Sequence, residues 1–142
     1  MNGSEWVVEA YGCDPARLGD TRALIQLFNA LVNELALNPI GDARWHVFPP
    51  PGGVTGLLML AESHVTLHTF PEHASMCMNL FCCRPRAEWD WAKRLEALVG
   101  ARDVRVRRLI RAFAPSDGSR DADDSRASPR LLSPVTRLVS QP

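Results

Sequence analysis

Two spacings of apolar residues alternate along the chain up to residue 114 and predict a mixture of helices and strands. Over residues 20–37, apolar side chains recur every three or four positions. This predicts a helix that begins at Asp20 and buries one face, formed by Leu24, Leu27, Phe28, Leu31 and Leu35. A second helix is predicted over residues 86–99, where Gly100 ends it. Both helices are therefore expected to pack one apolar side against a core.

Short runs that are rich in β-branched and aromatic residues predict six strands, at residues 6–11, 43–48, 54–61, 63–69, 76–82 and 102–111. The run at 54–61 is almost entirely apolar, so we expect it near the centre of the sheet. The element order β-α-β-β-β-β-α-β predicts an α+β fold. This fold is a two-layer sandwich in which a mostly antiparallel sheet carries two helices on one face. The other face is left bare, so we expect a second copy to cover it in a homo-oligomer.

The composition changes near residue 115. Residues 115–142 are rich in Ser, Pro, Asp and Arg and contain no aromatic residue. Such a segment has too little apolar area to offset the entropy lost on ordering. We therefore expect one folded domain over residues 1–114 and a disordered tail over residues 115–142.

Charge and cysteine content narrow the class of protein. Lys plus Arg and Asp plus Glu each number 16, so there is no basic excess for nucleic-acid binding. No apolar run approaches the roughly 20 residues that span a bilayer, and no secretory signal pattern precedes the first strand. The four cysteines (Cys13, Cys77, Cys82 and Cys83) fit no disulfide framework. These features predict a cytoplasmic protein that binds neither membranes nor nucleic acid.

Reactive polar side chains cluster at residues 62–72, with the sequence ESHVTLHTFPE, and return at Cys82 and Cys83. If residues 70–75 close a hairpin, Ser63 faces Cys82, or Cys83 after a slip of one residue. His68 has the opposite parity to Ser63. The two can share a face only if the strand is bulged or cut between them.

The pattern alone leaves several interpretations of this cluster open. The first is a half-buried strand whose polar side chains are simply hydrogen-bonded. A metal site of His64, His68 and a cysteine is disfavoured, because that histidine spacing suits a helix and the segment is predicted to be a strand. A Ser–His hydrolase lacks both the GxSxG elbow and an orienting acid. A further interpretation requires the chain to be cut at Ser63.

Residues 62–72 resemble the processing-site motif of the bacterial S-adenosylmethionine decarboxylase proenzymes, which reads Glu-Ser-His-Ile-Ser-Ile-His-Thr-Trp-Pro-Glu. The family's Phe-Thr-Cys-Gly is matched by FCCR at residues 81–84. Shorter segments at 11–14, 46–49 and 53–56 are also similar to family segments. The likeness extends over residues 5–112 and excludes the tail.

The resemblance implies self-cleavage between Glu62 and Ser63. In the family, the serine Oγ attacks the preceding carbonyl in an N→O acyl shift, and β-elimination then leaves a pyruvoyl group made from that serine. His68 matches the histidine that takes a proton during processing, and Cys83 matches the proton donor of catalysis. The pyruvoyl cofactor forms a Schiff base with the substrate amine and accepts electrons as carbon dioxide leaves. No metal is implied.

The resemblance also implies a substrate, S-adenosylmethionine, whose decarboxylation supplies aminopropyl groups for spermidine and other polyamines. Glu72 matches a glutamate that holds the ribose hydroxyls. Phe48 is a candidate to stack on adenine or to face the sulfonium cation. Glu9 stands where the family has an acid near the site.

Two departures from the family pattern keep alternatives open. Asn79 stands where the family usually has Asp, and Arg84 replaces a glycine beside Cys83. One alternative is a pyruvoyl-dependent arginine or ornithine decarboxylase on the same fold. Another is a non-catalytic paralogue that pairs with an active subunit, although the presence of Ser63, His68 and Cys83 argues against it.

Overall fold

The computed structural model describes residues 2–114, so the predicted tail at 115–142 lies outside the described residues. The described part contains one six-stranded sheet and three helices. The strands are β1 (Asn2–Tyr11), β2 (Arg44–Val47), β3 (Val54–Leu60), β4 (Ser63–Phe70), β5 (Ser75–Cys82) and β6 (Asp103–Ala112). The helices are α1 (Pro15–Leu18), α2 (Thr21–Glu34) and α3 (Trp91–Val99). All six predicted strands and both predicted helices are present.

The sheet order is β2-β3-β4-β5-β1-β6, and every neighbouring pair is antiparallel. The centre is formed by β4 and β5, while the apolar β3 lies one strand in from the edge. Alternate strand residues and the inner faces of the helices form one buried cluster, which includes Trp6, Leu27, Leu31, Leu67 and Leu80. The predicted α+β sandwich, with its helices on one face of an antiparallel sheet, is therefore confirmed.

The helices differ from the prediction in three respects, the first being that α2 ends at Glu34 rather than at residue 37. The short helix α1 was not predicted, because four residues are too few to show a helical period; Asp14 caps it by accepting a hydrogen bond from the Ala16 amide at 2.9 Å. Helix α3 begins at Trp91 rather than at residue 86, because Asp90 is its N-cap and accepts from the Lys93 amide at 3.2 Å. Residues 83–90 form an irregular connection instead, from which Arg86 pairs with Glu62 just before β4.

The sheet face away from the helices, here called the open face, carries Glu5, Glu9, His64, His68 and Asn79 among its side chains. It also exposes large apolar groups, among them Leu57, Met59, Phe70 and Leu109. Nothing within the described residues covers this mixture of charged and apolar side chains. It is the surface on which the predicted site residues are arranged.

Candidate active site

Ser63 lies at a tight corner of the chain. It is the first residue of β4, and it pairs with Leu60 across the two-residue connection from β3. Its φ of 154° is a value that residues with a side chain rarely adopt. Such backbone conformations cost on the order of 1–3 kcal/mol and persist only where the surroundings impose them. The Glu62–Ser63 peptide is therefore held in a strained turn.

Glu62 anchors the other side of this peptide through its side chain. The carboxylate is buried, accepts from the Asn38 amide at 3.0 Å and from Asn38 Nδ2 at 3.2 Å, and pairs with Arg86 at 3.0 Å. Burial alone raises the pKa of this carboxyl, but the Asn38 hydrogen bonds and the Arg86 charge outweigh burial and hold the pKa below its usual value. Glu62 is therefore ionised near neutral pH.

The Glu62 carbonyl is also held. It accepts a hydrogen bond from the Cys83 amide at 2.9 Å. The sequence did not point to Asn38 or Arg86, because both reach Glu62 through tertiary contacts from segments with no recognisable motif. Two parts of the chain remote in sequence thus fix Glu62 on its side chain and on its carbonyl.

A chain of polar side chains runs from Ser63 across the open face. Ser63 Oγ lies 3.5 Å from His64 Nδ1, and His64 Nε2 lies 3.2 Å from Asn79 Oδ1. Asn79 Nδ2 donates to Glu5 Oε1 at 2.8 Å, and Arg111 pairs with the same carboxylate. Sequence reasoning assigned no role to Glu5 or Arg111, since their strands adjoin β4 and β5 only in the folded sheet.

The two adjacent cysteines have different surroundings. Cys82 is opposite Ser63 in the register, as the hairpin predicted, but its side chain is fully buried in the core. Burial raises the pKa of its thiol to about 11, and the nearby Arg86 opposes that shift only partly. Cys83 is only partly buried, and its backbone contacts the Glu62 carbonyl. The assignment of Cys83 as the proton donor stays a prediction that this arrangement favours.

His68 lies on the open face but far from Ser63 of the same chain. Five residues along a strand span about 17 Å. His68 Nδ1 is instead 3.0 Å from Thr55 Oγ1, and its cross-strand neighbour is Cys77. Cys77 is paired in turn with Glu9, which forms an ion pair with Arg107. Within one protomer, therefore, His68 is not brought together with Ser63 and Cys83, which both lie beside the Glu62 carbonyl.

A pocket of about 310 Å³ lies at the His68 end of the open face. Its walls include Phe48, Thr55, His68, Phe70 and Glu72, so three of the predicted site residues meet here. Ser63 and Cys83 do not line it. The chain thus holds two separate groups. One consists of Glu62, Ser63, His64 and Cys83 and is here called the cleavage cluster, because cleavage is predicted there. The other is the pocket beside His68.

The metal hypothesis fails on geometry. His64 and His68 are four residues apart on a strand, about 13 Å, which is too far for one ion. Among residues 2–114, no group of three or more histidine, cysteine or acidic side chains is placed to hold a metal. In the same residues, no helix has the length and hydropathy needed to cross a membrane.

Comparison with known proteins supports the sequence resemblance. A family model described as S-adenosylmethionine decarboxylase matches residues 4–112. The S-adenosylmethionine decarboxylase proenzyme of Pyrobaculum arsenaticum is 36% identical over 107 residues, which cover 66% of this chain and 82% of that protein. The proenzyme of the same name from Parasynechococcus marenigrum is 41% identical over 83 residues, covering 58% of this chain and 63% of that protein.

A solved structure shares the fold. The crystal structure of the adenosylmethionine decarboxylase from Aquifex aeolicus superposes with a TM-score of 0.65 and 21% identity. The match covers 82% of this chain and 96% of that one. At this level of identity the likeness supports the architecture of sheet and helices.

Proposed function

The chain belongs to the S-adenosylmethionine decarboxylase family, and from that premise we propose that it is a pyruvoyl-dependent decarboxylase of S-adenosylmethionine, made as a self-cleaving proenzyme. The observation that carries this proposal is the Glu62–Ser63 peptide. Ser63 has an unusual φ, and the Glu62 carbonyl accepts a hydrogen bond from the Cys83 amide. The Glu62 carboxylate is held by its ion pair with Arg86.

The residues present fit a pyruvoyl group made from the chain itself. Ser63 supplies the hydroxyl and the backbone from which the group forms. The alternative electron sink, pyridoxal phosphate, needs a lysine, and the chain's only lysine is the exposed Lys93 on α3. When formed, the pyruvoyl carbonyl supplies an electron sink for the electrons released with carbon dioxide.

We propose that self-cleavage proceeds in the two steps that the family resemblance implies. In the first, Ser63 Oγ bonds to the Glu62 carbonyl carbon, and the Glu62–Ser63 C–N bond breaks to leave an ester. The Cys83 amide stabilises the charge that develops on the carbonyl oxygen. In the second step, a base removes the Ser63 Cα proton and the Cβ–Oγ bond breaks, which releases Glu62 as a carboxylate. Hydrolysis of the remaining enamine, with loss of ammonia, leaves the pyruvoyl end.

The separation of His68 from Ser63 supports a site built from two copies of the chain. The position midway between them on the open face is occupied by Thr66 and Asn79, which are paired across β4 and β5. Consider a second copy packed against the open face, related by a two-fold axis that lies in the interface and crosses the strands above that point. The partner's His68 would then lie near Ser63, because such an interface uses the same surface twice. The apolar side chains of the open face, such as Met59, would then be buried. We therefore infer a homodimer in which each cleavage cluster faces a partner's pocket.

The pocket suits an adenosyl substrate. Its 310 Å³ is within the range of small-molecule sites, and two phenylalanines and two prolines form part of its wall. Glu72 and Phe48 both line the pocket. There Glu72 would accept hydrogen bonds from ribose hydroxyls, and the Phe48 ring would stack on adenine or face a sulfonium cation. Glu9 lies in the same cross-strand row as His68, beyond Cys77, and does not line this pocket.

The proposal is tested by release of labelled carbon dioxide from S-adenosylmethionine, arginine and ornithine. We expect release from S-adenosylmethionine alone, and none from any substrate with Ser63→Ala. Release from arginine or ornithine in preference would assign the pocket to another amino acid. A cleaved chain that releases nothing from any amino acid would support the non-catalytic alternative.

A further inference from the structure

Asn79 has no role in the reaction described so far, yet it sits at the centre of the polar chain that starts at Ser63. It bridges His64 and Glu5, with contacts of 3.2 Å and 2.8 Å. The sequence resemblance would place an aspartate here, and a second carboxylate beside Glu5 could not donate a hydrogen bond to it. An amide at this position can accept on one side and donate on the other.

The ionised Glu5 determines which way the Asn79 amide points. Burial by itself raises the pKa of Glu5, but the hydrogen bonds from Asn79 and Arg111 and the Arg111 charge bring it below its usual value. A carboxylate only accepts hydrogen bonds, so Asn79 must present its NH₂ group to Glu5 and its oxygen to His64. That oxygen accepts from His64 Nε2, which must therefore carry the proton. In a neutral imidazole, Nδ1 is then unprotonated and can accept.

We propose that His64 is the base that takes the proton from Ser63 Oγ in the first step of self-cleavage, with Asn79 and Glu5 as positioning residues. The inference rests on the proposed function and names the group that starts it. The Ser63 Oγ proton moves to His64 Nδ1 as Oγ bonds to the Glu62 carbonyl carbon. The same proton passes to the Ser63 nitrogen as the C–N bond breaks, so His64 is neutral again when the ester has formed.

The geometry meets the requirements of a base before the reaction. Nδ1 is 3.5 Å from Oγ, a length that is common before the reacting groups close up. The ring is held on its other edge by Asn79, and Phe81 lies against it with centroids 6.0 Å apart. Glu5, the carboxylate at the far end of this polar chain, is paired with Arg111.

The proposal separates two histidines by the step at which each acts. His64 would act in forming the ester, within its own protomer. The partner's His68 would act in the elimination, when the Cα proton is removed. A chain without His64 keeps an intact peptide bond, which hydroxylamine does not cut. A chain without His68 stops at the ester, which hydroxylamine does cut.

The test follows cleavage of the full chain after cell-free synthesis, on gels with and without hydroxylamine. We expect His64→Gln to slow cleavage by about 10²–10⁴-fold, the range for loss of a general base, and to accumulate a hydroxylamine-resistant precursor. His68→Ala should accumulate a hydroxylamine-sensitive one. His73→Gln changes an exposed histidine on the turn after β4, outside both groups, and should cleave at the wild-type rate.

A second variant keeps the proposal falsifiable if His64→Gln folds poorly. Asn79→Asp would place a carboxylate against the Nε2–H edge and favour the imidazolium. The pH below which the cleavage rate falls should then be higher than in the wild type. A purely structural role for Asn79 would not produce this shift. Two results would overturn the role of His64 and leave the proposed function standing. One is a pH dependence of cleavage that Asn79→Asp does not shift, and the other is a folded His64→Gln chain that cleaves normally or stalls as the ester. A wild-type chain that never cleaves would overturn the proposed function, and this inference with it.

Discussion

At the residue scale, the buried Glu62 carboxylate couples the cleavage peptide to the stability of the fold. Its pKa is depressed in the folded chain, so its contribution to stability is present above the unfolded value and is lost as pH falls through the folded pKa. The ordinary value is 4.5, so the loss should occur below that pH. Glu5 is shifted in the same direction, and a variant is therefore needed to separate the two.

We expect the uncut Ser63→Ala chain to lose unfolding free energy as pH falls below about 4.5. Ser63→Ala with Glu62→Gln should show a flatter dependence over the same range, because one depressed carboxyl has been removed. Urea unfolding at a series of pH values measures both. Identical slopes for the two chains would show that Glu62 is not held as an ion.

The two cysteines give a second prediction at this scale. Cys83→Ala should still cut itself, because protonation of the substrate carbon comes only after the pyruvoyl group exists. Its decarboxylation should fall by about 10²–10⁴-fold, the usual effect of losing a general acid. Gels report cleavage and carbon dioxide release reports turnover.

Cys82→Ala is the matched control. Its thiol is buried in the core, and burial raises its pKa to about 11. The change should lower the melting temperature and leave turnover per folded chain near normal. If Cys82→Ala lost turnover and Cys83→Ala kept it, the proton donor would be Cys82 and not Cys83.

At the element scale, the hairpin of β4 and β5 was the most predictable feature. The length of the 70–75 loop fixes the register, and Ser63 does lie opposite Cys82. The start of α3 was less predictable. Residues 86–90 look helical locally, yet the side chain of Arg86 bonds Glu62 and Trp89 Nε1 donates to Glu34 at 2.6 Å. These contacts exist only after distant segments meet, so local spacing does not reveal them.

The same limit applied to the candidate site. The motif at 62–72 predicted the cleavage peptide and a substrate-binding role for Glu72, and Glu72 does line the pocket. The motif alone did not show that His68 lies about 17 Å from Ser63 in one chain, because it gives both residues roles in one reaction. The predicted strand over 63–69 and the parity conflict between the two residues were the signs of that separation in the sequence.

A change at the start of strand β3 tests whether the pocket and the cleavage cluster are separate groups. Gly53 precedes β3 and lines the pocket, and a Cβ there would lie 2.5 Å from the Thr69 carbonyl oxygen. Gly53→Ala must therefore push the backbone of β3 away from β4 at that end. We expect kcat/KM to fall by about 10–10²-fold, while formation of the ester at Ser63, which uses His64 of the same chain, proceeds. Steady-state kinetics and gels with hydroxylamine measure the two effects, and an equal loss of turnover and of ester formation would contradict two distinct groups.

At the scale of the whole molecule, the central question is whether one site needs two chains. If the partner's His68 serves each Ser63, a chain carrying His68→Ala should be rescued by a chain carrying Ser63→Ala. Neither variant should cut itself alone. When both are co-expressed with different tags, the His68→Ala chain should cleave and the Ser63→Ala chain should stay whole. Absence of cleavage in a mixed dimer would place both groups in one protomer.

The measurement that tests the account most directly is the intact mass of the purified wild-type protein. We predict two chains, residues 1–62 and 63–142, with the second lighter than a serine-started chain by the mass of one ammonia. That fragment should also be blocked to Edman degradation by its pyruvoyl end. Ser63→Ala should give a single chain of full length. A wild-type protein that is uncut and yet releases carbon dioxide from S-adenosylmethionine would contradict the mechanism.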